Sequence, residues 1–356
     1  MNSNDLAQWL LWNAGPCIRF RTLVEILHEQ DVSLVSQALQ ELLVSPEVVE
    51  WTSRLNPQFD INSIHSGKPN AFENVIGKLV QLGVRAGLQP FDNKTLPFRV
   101  WLSENVEVYP ETPHAVFLRT IIAAFLAFAG YDSISPVMAQ MTKRLQALYL
   151  FAKDPDFASV FVDKSETNGF PEGSENHQLV NPELYQDQQF MLPWIHDIRG
   201  LSSCIDILSK QSYVSKTEKI VEMILTSEYQ SLPSSYGLAK YGKRYYVLGW
   251  AVHLPGYSAK PEGRSFANLL LTLEVMGKFP VARKNPWFVN SIEYLESFRT
   301  EYGTYIFPFS WLPEKQTGYW VGGLRMGYDE RKSYPKAIEC ESTFRMLKIK
   351  QIAGGT

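Results

Sequence analysis

The sequence predicts an all-α fold, an (α/α)6 toroid of inner and outer helices with a short β-hairpin in a long loop, and three features point to it. Six stretches share one design, a short amphipathic helix entered through a polar or basic residue: Arg19 to Leu27, Phe72 to Val84, His114 to Gly130, Asp197 to Ser209, Ser265 to Gly277, and Lys336 to Ile349. Helices of a second type, with more charge on the exposed face, alternate with them. Links from first-type to second-type helices are short, and the return links are long. A repeated helix that cannot bury its own apolar face marks a closed or stacked array. The 356 residues accommodate that array as one domain over 1–356.

The first-type helices carry apolar residues at i, i+3, i+4 and i+7, which places one stripe on one face. Phe20, Leu23, Val24 and Leu27 form it in the first helix, and Phe72, Val75, Ile76 and Leu79 in the second. Leu201, Cys204, Ile205 and Leu208 repeat it in the fourth, and Phe266, Leu269, Leu270 and Leu273 in the fifth. The sixth, with Ile338, Phe344 and Leu347, follows the spacing less closely. The third, apolar from Ala115 to Gly130 except at Arg119, falls short of the roughly 20 residues of a membrane span. It reads as a core helix buried on most sides.

Among the second-type helices, Val35 to Leu43 follows Ser33 as N-cap, and Pro46 opens a further turn toward Leu55. Pro136 stands near the start of a helix to Phe151. Lys216 to Leu225 and Trp287 to Phe298 complete the set. Between Arg85 and Pro113, four prolines (Pro90, Pro97, Pro110 and Pro113) leave room for a short helix near Phe98 to Glu104.

The long return links, Asp154 to Pro193, Ser227 to Gly263 and Thr300 to Pro335, far exceed the usual two to eight residues between paired helices. In a ring they all fall at the end where inner helices begin, so one mouth is elaborated. Long loops on a rigid scaffold are where binding sites sit. Helix amino termini at that end favour anions, and Arg19, Arg21, Lys68, Arg199, Arg264 and Lys336 lie near those starts. Two links are rich in rings: Tyr229 to Tyr257, where alternation from Arg244 to Leu254 reads as a hairpin, and Tyr302 to Tyr334.

Charge narrows the partners. Thirty-four basic and 37 acidic residues give −3, without the general pull toward nucleic acid or anionic membrane that a basic chain has. Cys17, Cys204 and Cys340 are odd in number, far apart and outside any Cys-x-x-Cys pair, which suits buried thiols in a reducing compartment. Met1 to Gly15 lacks a basic n-region and does not read as a secretory leader. The expectation is a cytoplasmic protein without a transmembrane segment, a small hydrophobic molecule as its ligand, and no nucleic-acid partner.

His196 and Asp197 stand where the fourth inner helix begins, a histidine for proton transfer beside a carboxylate that orients it or caps the helix. His114 holds the same place at the third helix, and Glu341 lies near the start of the sixth. These four are the candidate catalytic residues. Trp194, Tyr245, Trp250, His253, Trp311 and Trp320 are the candidate aromatic and imidazole contacts, and Arg19 and Arg264 the candidate anion contacts. His65, in the loop before the second helix, could converge on the same mouth. Acidic pairs such as Asp329 with Glu330 and Glu339 with Glu341 are loose, and no ligand spacing such as His-Glu-x-x-His indicates a metal. No cofactor is indicated.

Tyr294 to Pro308 reads YLESFRTEYGTYIFP, which resembles the QW repeat of terpenoid cyclases, a helix end followed by a Gly-x-Trp turn. Arg299 replaces the usual Gln, Tyr305 replaces the usual Trp, and Gly303 holds the turn. The resemblance covers about fifteen residues and implies the α/α toroid shared by squalene-hopene-type cyclases and protein prenyltransferase β subunits. It does not carry over their chemistry: the Asp-x-Asp-Asp acid, the Asp-x-Cys zinc pair and the Asp-Asp-x-x-Asp metal motif are all absent from the sequence. A cyclase built on this chain would use Glu341 or Asp197 as its acid. Three functions compete: an enzyme holding a hydrophobic, isoprenoid-like substrate in an aromatic cavity; a carbohydrate-active lyase or hydrolase using His196, Tyr245 and an arginine; and a non-catalytic binding or scaffold protein. A deep apolar cavity, an open groove with rings and carboxylates, and a filled axis respectively distinguish them.

Overall fold

A computed structural model describes residues 2–56, 58–108, 112–163, 170–174, 176–186, 189–328 and 336–354. The acidic pair Asp329 and Glu330 lies outside them. The chain is mostly helical. In order, the helices are α1 (Ser3–Asn13), α2 (Pro16–Arg21), α3 (Val32–Leu43), α4 (Pro46–Arg54), α5 (Phe72–Leu82), α6 (Gln89–Asn105), α7 (Pro113–Leu126), α8 (Ser135–Ala152), α9 (Ile195–Leu201), α10 (Ile205–Ser209), α11 (Gln211–Ile224), α12 (Ser227–Gln230), α13 (Arg264–Met276), α14 (Pro280–Arg283), α15 (Pro286–Glu296) and α16 (Ala337–Gly354). The strands are β1 (Phe161–Val162), β2 (Leu179–Val180), β3 (Tyr185–Gln186), β4 (Gln189–Phe190), β5 (Leu238–Tyr241) and β6 (Arg244–Val247). Two compact units result, one of residues 1–96 with 255–356 and one of residues 97–254.

In the first unit α5 is buried along its whole length, which its apolar stripe alone does not require. Asn74 and Gln81 find hydrogen-bond partners in the segment around Trp320, so the polar face is satisfied rather than solvated. α2 opens on Pro16 and passes directly into a π-helical turn, Thr22–Ile26, after which the chain leaves the helix at His28 with φ of 49°. The expected N-cap Ser33 is instead inside α3. Asp31 caps that helix, accepting from the amides of Ser33 and Leu34. Within this unit α2 packs on α3 and α5, α4 on α5, and α16 on α1, α2 and α13.

The QW-like segment folds as its pattern suggests. α15 ends, Gly303 takes φ of 88°, and Arg299 and Tyr305 pair as an antiparallel bridge. Tyr305 is fully buried; its hydroxyl donates to Glu296 at 2.8 Å and accepts from Lys350 of α16 at 2.6 Å.

α6 corrects the expected short helix over Phe98 to Glu104. It starts at Gln89, tolerates Pro90 in its first turn and continues through Pro97. Phe91, Thr95, Phe98 and Leu102 are all buried. Burial of that stripe outweighs the loss of one backbone hydrogen bond.

In the second unit α7 is buried on nearly every side and packs on α8 and α9. Thr112 caps it ahead of Pro113, and it ends in a second π-helical turn, Ala127–Tyr131, closed by Gly130. Pro113–Tyr131 is long and apolar enough to cross a membrane by composition, and 78% of its apolar window is buried within the protein. The expected helix Asp197 to Ser209 is broken into α9 and α10. The hydroxyls of Ser202 and Ser203 both donate to the carbonyl of Arg199, competing with the helix ladder at the break.

The strand content exceeds the single hairpin expected from Arg244 to Leu254. β6 pairs backwards with β5 in the register Leu238↔Val247 to Tyr241↔Arg244, around a two-residue turn. β2 and β1 extend this to a sheet ordered β1-β2-β5-β6, and β3 pairs with β4. Trp250 and Ala251 make isolated bridges, to Ser235 and Trp194.

Candidate functional site

The first unit contains an open groove of about 780 Å³. One wall is α4, which presents Glu47, Glu50, Trp51 and Arg54 at i, i+3, i+4 and i+7. The second wall is the segment Phe309 to Gln316 with Arg325 and Gly327, and Lys78 of α5 reaches the floor. Pairing between Pro313–Lys315 and Leu324–Met326 makes that segment a stiff antiparallel loop. Gly318, with φ of 116°, donates its amide to the carbonyl of Gly67 and ties the loop down.

Trp51 organises the charge. Its ring is buried, with the Arg54 guanidinium 4.3 Å, Arg325 5.3 Å and Lys78 5.8 Å from its centroid. Lys78 is almost fully buried and pairs with Glu314 at 2.8 Å, while also donating to the Gly327 carbonyl. Arg325 donates to the carbonyls of Lys315 and Gln316, and burial pushes its pKa down. Arg54 pairs with Glu50. At the edge, Phe309 is 61% exposed. The groove thus combines four cations, three carboxylates and one accessible ring.

None of the twelve candidate residues lines this groove. In the same unit, Arg19 pairs with Glu41 at 2.7 Å near the surface, and exposed Arg264 donates to the Gly322 carbonyl. Trp311 packs against Phe266 and Phe298. Trp320 is buried, its amide donating to Asn74 and its indole N–H to Gln81. Glu341 is buried and pairs with Arg345 at 3.2 Å. His65 pairs with the buried carboxylate of Glu73 at 2.7 Å and stacks on Tyr319.

In the second unit Trp194, His196 and Asp197 are brought together and fully buried. Asp197 accepts the Trp194 amide at 2.9 Å, satisfying a donor at the start of α9, and holds Arg144 through both oxygens at 2.8 and 2.9 Å. Arg144 also lies over the Trp194 ring. Phe117 meets both Trp194 and His196 edge-on. Tyr245 contacts Phe170 and Lys240 on the hairpin, and Trp250 is half-buried. Burial lowers the pKa of His253, and His114 is exposed.

Charge is also concentrated inside the first unit. Arg21 donates to both oxygens of Glu25, to the Gln81 carbonyl and to the Tyr328 hydroxyl. Lys348 lies 2.7 Å from Glu274 and 3.7 Å from Glu25. Burial opposes ionisation of both carboxyls, but the facing cations prevail and hold Glu25 and Glu274 below the usual range. Burial and Arg21 lower Lys348 to about 8.

The α4 stripe was the missed signal. It repeats the helical spacing used to find apolar faces, but with charged residues. The wall that faces it across the groove comes from residues more than 200 positions away. Searches of protein-family models, curated proteins and solved structures find no match to this chain.

Proposed function

We propose that this protein is a ligand-binding protein whose first-unit groove takes an uncharged, hydroxyl-rich ring ligand, a saccharide. The observation that carries this reading is the near balance of four cations and three carboxylates around the groove. A polyanion would face Glu47, Glu50 and Glu314, and a polycation would face Arg54, Lys78, Lys315 and Arg325. A purely apolar isoprenoid would remove those charges from water with nothing to replace it. Sugar hydroxyls both donate to carboxylates and accept from guanidinium and ammonium groups, and Phe309 offers a face to the ring.

Binding is favoured over hydrolysis. Arg54 holds Glu50 and Lys78 holds Glu314 in ion pairs within the protein, so neither carboxyl is free for the acid and base roles that a glycosidase needs. The α/α toroid of the terpenoid-cyclase kind belongs to the same proposal. The adjacency of α2 with α5 and α16, of α13 with α16, and of α7 with α9 supports it, as does the turn at Gly303.

Calorimetric titration with neutral gluco- and xylo-oligosaccharides tests the function. Phe309→Ala should weaken binding about tenfold, equivalent to about 1.4 kcal/mol, while the thermal midpoint stays unchanged because the ring is exposed. Absence of binding at millimolar sugar, or an unaffected variant, would overturn the reading.

A further inference from the structure

A second opening in the first unit has the opposite character. It is an apolar crevice of about 300 Å³ between α4 and the start of α6, lined by Leu43, Val48, Val84, Leu88 and Phe91, with Val49 at its rim. Val48, Val84 and Phe91 are buried, whereas Val49 is 53% exposed. Lys94 supplies the cation in its lining. The Lys94 ammonium donates to the carbonyl of Leu55 at 2.9 Å, and no carboxylate lies within ion-pair range of it among the described residues. The crevice therefore joins an apolar channel to a positive charge that no acidic side chain neutralises.

We propose that this crevice is a binding site for a medium-chain fatty acid, with the alkyl chain against Val48, Val84 and Phe91 and the carboxylate on Lys94. Size excludes a helical protein segment, because a helix about 10 Å across does not enter a crevice of this volume. Charge excludes an alkylammonium, which would meet Lys94. An alcohol would fill the channel without answering the charge. The site shares no residue with the groove, so it stands independently of the saccharide reading.

Isothermal titration with decanoate, octanoate and decan-1-ol tests the proposal on the full chain. Each buried methylene contributes about fourfold in affinity, so decanoate should bind about tenfold or more tightly than octanoate. Lys94→Gln should weaken decanoate about tenfold and leave decan-1-ol unchanged. Val49→Trp, at an exposed rim position that tolerates a larger side chain, should block both. Phe309→Ala should alter neither, which separates this site from the groove. Equal affinity for decanoate and decan-1-ol would overturn the role of Lys94. Undetectable decanoate binding, or wild-type binding by both Lys94→Gln and Val49→Trp, would overturn the site.

Discussion

Gly77 is where α5 meets Trp320. A Cβ built there would lie 2.5 Å from Trp320 Cδ2, inside any permitted contact. The indole cannot step aside freely, because Asn74 holds its backbone amide and Gln81 holds its ring N–H. Gly77→Ala should therefore destabilise the protein by about 1–3 kcal/mol, the usual cost of overpacking a filled core. Thermal denaturation reads this as a lowered midpoint, and an unchanged midpoint would mean that Trp320 is not pinned. Trp320 was a candidate substrate contact from its place in an aromatic loop. Its burial and two hydrogen bonds give it a packing role.

At the scale of the element, α9 shows how one carboxylate serves a helix and a neighbour together. Asp197 accepts the Trp194 backbone amide at the start of α9 and binds Arg144 of α8 through both oxygens, with both side chains fully buried. Arg144 further donates to the Phe190 carbonyl at 2.6 Å, so α8 is tied to β4 as well as to α9. Arg144→Met leaves Asp197 buried without its cation and should cost about 3–5 kcal/mol. Urea denaturation measures the loss. Asp197→Asn keeps the shape but loses the charge, and paired with Arg144→Met it should recover part of that loss. Additive effects would show that the two residues are not coupled. The position of Asp197 before an apolar stripe was legible in the sequence as a cap. Its partner was not, because Arg144 lies 53 residues away and nothing local marks it.

At the scale of the molecule, the buried charges of the first unit set a pH profile. Glu25 and Glu274 have folded pKa values below their ordinary 4.5. They contribute stability that is complete above the unfolded value and is lost as pH falls through the folded values. The thermal midpoint should drop steeply below about pH 4.5, and Glu25→Gln should lessen that drop while lowering stability at neutral pH. Lys348 gives a slope of the same sign at alkaline pH, although its lowered pKa costs stability where the carboxylates add it. Folded, it gives up its proton near 8, whereas unfolded it keeps it to 10.5. The unfolded state then binds more protons across that window, so this lysine makes stability rise with pH between those values. Lys348→Met should remove that rise, and a midpoint profile identical to wild type would refute the assignment.

Much of the helical framework was readable because helix formation leaves a local period. Phe72 to Val84, Ser265 to Gly277 and Lys336 to Ile349 each match an observed helix closely, since apolar residues one turn apart report a face that must be buried. The QW-like turn was readable for a similar reason: Gly303 marks positive φ within a few residues of a helix end. Local pattern could not say which rings line a site and which fill a core, because Trp194, Trp320 and Phe309 look alike in sequence and differ only in what packs over them. It passed over Glu47, Glu50 and Arg54, whose helical spacing reads as a solvated face until the segment from Phe309 to Gly327 is folded against it. The sequence by itself determined where helices begin, end and turn their apolar sides, because those choices depend on neighbours within one or two turns. Tertiary structure alone decided where charge is gathered, because ion pairs such as Lys78 with Glu314 join residues 236 positions apart, whose attraction acts only after the chain has brought them together.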